Sequence, residues 1–109
     1  MTATTNALID SLDTAIEAKL AAELAITTTA ARALASIMEE RGWTEVQVDV
    51  EELSRIEQVT LVDGTVVDID LDEEEQADYA VGNCARGLFH YRRGEHRVTL
   101  DEVRQAIAA

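Results

Sequence analysis

Side chains able to do chemistry are concentrated in one stretch, Val59–Asp78, which reads VTLVDGTVVDIDLDEEEQAD. Asp68, Asp70 and Asp72 alternate there and run into Glu73, Glu74 and Glu75. The first three match the leading oxygen ligands of a calcium loop. The match then ends, because Glu73 stands where the loop needs glycine and Tyr79 where it needs its last carboxylate. Cys84, His90 and His96 are the other chemical candidates. Six residues separate Cys84 from His90, which puts them on different faces of a helix, and no second cysteine completes a zinc set. No Gly-x-Ser-x-Gly, phosphate loop or dinucleotide fingerprint occurs. Paired aspartates on an exposed strand face lack the contrast of environment that splits an acid from a base. The expectation is a protein without enzymatic activity, cofactor or metal.

What remains is recognition by charge. Residues 39–78 hold fifteen acids and two arginines, which accounts for the whole net charge of −13 over 109 residues. Such a field repels phosphate and attracts basic partners. Carboxylates at alternate strand positions stand about 7 Å apart, comparable to the step between phosphates on a nucleic-acid strand. In charge and size the chain resembles the DNA-mimic inhibitors of phage–host conflict, with no shared sequence motif. That likeness implies a basic, nucleic-acid-binding partner, met by Glu57, Asp68, Asp70, Asp72, Glu73, Glu74 and Asp78. Direct nucleic-acid binding is not expected. Arg86–Arg97 is a modest basic patch that could meet the acidic face of a second copy.

The elements that must position these groups begin with a helical segment, residues 1–42. Leu8, Leu12, Ile16, Leu20 and Leu24 recur every four residues. The run Thr27–Thr29 allows either one helix to Arg41 or a helical hairpin, and Gly42 with Trp43 closes the C-terminus. Paired with a copy of itself, this stripe would make a homo-oligomeric structural or adaptor protein, such as a virion component or chaperone. That is the alternative function.

Residues 45–71 read as a small antiparallel sheet of two or three strands. Val46, Val48 and Val50 alternate, and Asp49–Glu52 offers a short helical turn through Leu53 and Ile56. Asp63-Gly64 predicts a two-residue hairpin, with Leu61 opposite Val66 and Arg55 opposite Asp72. Its core face then holds Ile56, Thr60, Val62, Thr65, Val67, Ile69 and Leu71, interrupted by Gln58.

Residues 72–109 read as two helices packed on one face of the sheet. Asp72 caps the first, whose apolar stripe reaches Tyr91 and which ends with Arg92 and Arg93 before Gly94, and Gly82 and Gly87 within it permit close backbone approach. Thr99 caps the second and Glu102 completes its capping box. The chain is therefore expected to be a single α+β domain. One cysteine and the lack of a signal-like start suggest the cytoplasm, of the host if the protein is phage-encoded. No stretch reads as a membrane span.

Overall fold

The computed structural model describes residues 3–70, 73–90 and 92–108. It begins with one helix, α1 (Ala3–Arg41), 39 residues without a glycine or proline to interrupt it. The threonines do not break it. Thr27 Oγ1 donates to the carbonyl of Glu23 at 3.0 Å, and Thr14 does the same to Asp10. Gly42, at φ 70°, takes the left-handed conformation that stops the helix, and Trp43 tucks beneath it, buried. One stretch of α1 is long and apolar enough, by length and composition alone, to cross a membrane, contrary to the expectation above. Alanine accounts for the difference, since it raises hydropathy without a run of large side chains. The C-terminal third of the same helix lies in the domain core, with Leu34 and Met38 fully buried.

Four strands follow in one antiparallel sheet instead of two or three. They are β1 (Trp43–Val50), β2 (Ser54–Leu61), β3 (Val66–Asp68) and β4 (Gly94–Thr99), in spatial order β3-β2-β1-β4. No helical turn forms between β1 and β2. Residues 51–53 bend, Leu53 is exposed, and Ile56 lies within β2 with its side chain in the core.

The hairpin register differs from the two-residue expectation. Leu61 N–H donates to the Thr65 carbonyl, Thr60 pairs with Val66 and Val59 with Val67, so three residues form the loop. Gly64, at φ 89°, supplies the left-handed residue such a loop needs. Val62 and Thr65 are consequently exposed. The Gln58 interruption is resolved by an irregularity in the β1–β2 ladder, where Gln47 pairs with Gln58 but Val48 with Ile56. Glu57 is the extra residue, and the bulge turns Val59 inward alongside Ile56. Arg55 lies across from Asp49 of β1, while Asp72, its expected partner on the hairpin side, falls outside the described residues.

Two helices complete the domain, α2 (Glu75–Phe89) and α3 (Leu100–Ala108). Asp72, Leu71 and Tyr91 fall outside the described residues, so the proposed Asp72 cap is not among the contacts seen. The N-cap position of α2 is Glu74, with no side-chain bond to the helix. Glu73 reaches back instead to the N–H of Asp70 at 3.0 Å. α2 ends at Phe89, where His90 adopts the left-handed conformation at φ 53°. The α3 capping box is present: Thr99 Oγ1 accepts from the Glu102 N–H at 3.2 Å, and Glu102 accepts from the Thr99 N–H. Of the two helical glycines, only Gly87 marks a close approach. A Cβ placed there would lie 3.0 Å from Thr27 Cγ2, whereas Gly82 faces open space.

All three helices lie on one face of the sheet. Val46, Val48, Val50, Ile56, Val59 and Val98 look inward from the strands. Ala77, Val81, Cys84 and Ala85 of α2, Val103 of α3, and Leu34 and Met38 of α1 meet them in one core. Only the end of α1 takes part. At about 1.5 Å per residue the helix is some 58 Å long, and it sets the 66 Å long axis of a molecule only 27 by 19 Å across.

Candidate interaction surfaces

The acidic residues separate into two groups. Asp68 sits at the end of β3 and accepts a hydrogen bond from Gln58 Nε2 at 2.7 Å. Asp68, Asp70 and Glu73 are exposed at that edge of the sheet. Glu57 projects from β2 onto the outer sheet face. Loss of water contact there, and then the charges of Glu95 and Asp49, raise its carboxyl above the ordinary glutamate range. These side chains form a wet acidic surface. Two of the residues grouped with them from the sequence have internal duties. Glu74 is half-buried and pairs with Arg41 at 3.1 Å, locking the start of α2 to the end of α1. Asp78 Oδ1 accepts the Ile56 N–H at 2.9 Å, holding α2 against the bulged strand. No signal in the alternation distinguishes these two from the solvated acids, because their partners lie more than twenty residues away in sequence.

The nucleophile candidate is enclosed. Cys84 is fully buried, its Sγ lies 3.6 Å from the Val81 carbonyl, and burial pushes its thiol up to about 12. His96 stacks on Phe89 at 5.0 Å between ring centroids, and its Nε2 bonds the Arg92 carbonyl at 2.7 Å. Among the described residues no group of three or more His, Cys, Asp or Glu is disposed to hold a metal ion.

The second surface is the N-terminal part of α1. Every residue from Ala3 to Ala22 is exposed. Leu8 is 65 % exposed and Leu24 68 %, with Ile9, Leu12, Ile16 and Leu20 between them also open to solvent. At about 100° per residue, Ile9, Leu12, Ile16 and Leu20 point in the same direction as Leu34 and Met38 further along. The face that enters the core from Ala30 onward thus continues outward as an uncovered arm. Where arm meets body, Leu20, Glu23, Leu24, Thr27 and Arg86 line a shallow notch, and Arg86 pairs with Glu23 at 3.2 Å.

A third feature was not foreseen from the sequence. An open groove of about 700 Å³ runs between α1 and α2, floored by Ala30, Ala33 and Ala80 and walled by Ile26, Ile37 and Tyr79. It lies about a third of a turn around α1 from the arm stripe. The small residues at 25, 29, 33 and 36 were its trace in the sequence.

No protein-family model matches the chain, and no curated protein or solved structure matches it either.

Proposed function

We propose that this chain is a non-enzymatic assembly or adaptor protein that docks through the apolar face of its N-terminal arm. One observation carries the reading. Six large aliphatic side chains, Leu8, Ile9, Leu12, Ile16, Leu20 and Leu24, stand open along one side of the N-terminal part of α1, which no other described residue covers. Single exposed leucines are ordinary on protein surfaces, but a contiguous stripe of this length marks an interaction surface.

A second reading has its own support. On the outer sheet face, loss of water contact and then the like charges of Glu95 and Asp49 raise the Glu57 carboxyl, even with Arg55 across from Asp49. With Asp68, Asp70 and Glu73 at the adjoining edge, this surface suits a basic partner, including a nucleic-acid-binding protein that a DNA-mimic inhibitor would block. Glu74 and Asp78 are no longer part of that surface.

The two readings separate in one comparison. The full chain, an L12D/I16D variant and a D68N/D70N variant are immobilised and challenged with lysate at low and high salt. Loss of the captured species from L12D/I16D at both salts supports the arm. Loss from D68N/D70N, with weakening by salt in the wild type, supports the acidic face. Identical capture by all three would refute the acidic face, and would refute the arm as well if all three also share one oligomeric state in solution.

A further inference from the structure

Five of the arm's six large apolar positions are symmetric about Ile16: Leu8 and Leu24 lie eight residues to either side, Leu12 and Leu20 four, while Ile9 has Glu23 as its counterpart. We infer that the partner of this face is a second copy of the chain, crossing antiparallel with the two-fold axis at Ile16. The inference rests on the arm being the docking surface and adds who docks there.

Three observations favour a second copy in this orientation. Leu8, Leu12, Ile16, Leu20 and Leu24 form a single row of i, i+4 side chains. Two such rows interdigitate when helices cross at about −50°. In the antiparallel sense this sets Leu8 against Leu24, Leu12 against Leu20 and Ile16 against itself, an isologous contact in which every partner is apolar. The five paired positions all lie before Thr27, where the close approach of Gly87 brings α2 onto α1.

Area is the second argument. With each of the six side chains about half exposed or more, one copy offers on the order of 600 Å² of apolar surface. A pair then covers on the order of 1,200 Å², the lower bound for specific, stable interfaces.

Charge is the third. The net charge of −13 arises from residues 39–78, in the body. A parallel pair would hold two such bodies side by side. An antiparallel pair sends them to opposite ends of the crossed arms, well beyond a Debye length of about 10 Å.

Light scattering on the full chain over a range of concentrations tests the pairing, and cysteine cross-linking tests its sense. Cys84 is buried with a raised pKa and gives no background. Expected are a mass twice the 11.9 kDa of one chain, its reduction to one chain in L12D/I16D with the far-ultraviolet helix signal of the body retained, and rapid copper-phenanthroline cross-linking of I16C to itself. L8C should cross-link to L24C in a mixture and not to itself. Self-linking of L8C would mean a parallel pair and would overturn the orientation. A monomer at every concentration would overturn the second copy altogether. In that event anilinonaphthalene sulfonate bound by wild type and not by L12D/I16D, or sedimentation with phosphatidylcholine vesicles, would leave the arm as a docking face for another protein or for lipid. A monomer whose dye and vesicle binding match the variant's would refute the arm reading itself.

Discussion

The two ends of α1 carry the same kind of side chain on the same face, and their environments are opposite. Leu12 is 54 % exposed and Leu34 fully buried. The difference lies in what the rest of the chain can cover. At about 1.5 Å per residue, α2 is roughly 22 Å long and α3 about 14 Å, against about 58 Å for α1. Once those helices and the sheet have closed over the last dozen residues of α1, no described element extends over its first twenty, Ala3–Ala22. Periodicity thus identifies which face of a helix is apolar. Whether that face becomes core or interface depends on elements distant in sequence.

The comparison is broken most severely in the body. Leu34→Ala should cost about 2–5 kcal/mol through the cavity it leaves, while Leu12→Ala, at a dilution where copies are apart, should change stability by less than about 0.5 kcal/mol. Urea unfolding followed by Trp43 fluorescence measures both. Equal losses would mean that the arm packs on the body after all.

The acids offer the same contrast one step smaller. Asp78→Ala strands the Ile56 N–H and should cost about 1–3 kcal/mol, whereas Asp68→Asn should stay within about 0.5 kcal/mol of wild type. Matching denaturation midpoints for the two would show that Asp78 does not hold α2 to the sheet.

Gly87 sharpens the boundary between arm and body. Thr27 is held in its rotamer by the bond to Glu23, so its Cγ2 cannot turn away from an added Cβ. Gly87→Ala alone should destabilise by about 1 kcal/mol. Thr27→Ser keeps the hydroxyl and removes the methyl. On that background Gly87→Ala should instead stabilise, by up to about 1 kcal/mol of helix propensity. Additive effects in the double-mutant cycle would rule out the contact.

The smallest effect is a pH dependence. Glu57 binds its proton more firmly in the folded chain than in the unfolded one, because of lost water contact and the charges of Glu95 and Asp49. Its contribution to stability therefore falls as pH rises from the ordinary glutamate value to the raised one. Glu57→Gln should flatten that slope, with a slightly higher denaturation midpoint than wild type at neutral pH and none of the advantage in acid. A steeper slope in the variant would reverse the sign.

Much of the local structure was legible in the sequence. The α+β class, the Gly42 stop, the β1 alternation and the α3 capping box each rest on contacts between near neighbours. Two errors are local, the length of the Asp63-Gly64 loop and the absent turn after Asp49; the others fall where a distant partner decides. Gln58 marked a break in the strand pattern, but only pairing with Gln47 and Val48 reveals the bulge that turns Val59 inward. β4 was overlooked because its alternation is short and charged, and it becomes a strand by pairing along β1. Glu74 and Asp78 looked like their neighbours until Arg41 and the Ile56 N–H came beside them.

β3 leaves one more consequence. It is only three residues long and forms one margin of the sheet, with its outer backbone groups unpaired by any other strand. Replacing Asp68 and Asp70 by valine would turn residues 66–70, which begin on an open edge, into an uninterrupted run of valine and isoleucine. That is the composition from which fibrils grow by adding strand to strand. D68V/D70V should therefore form thioflavin-positive aggregates that D68N/D70N forms far more slowly, and equal rates would disprove it. A slower rate in D68N/D70N than in D68V/D70V would assign to Asp68 and Asp70 the task of keeping the molecule from polymerising through its own margin.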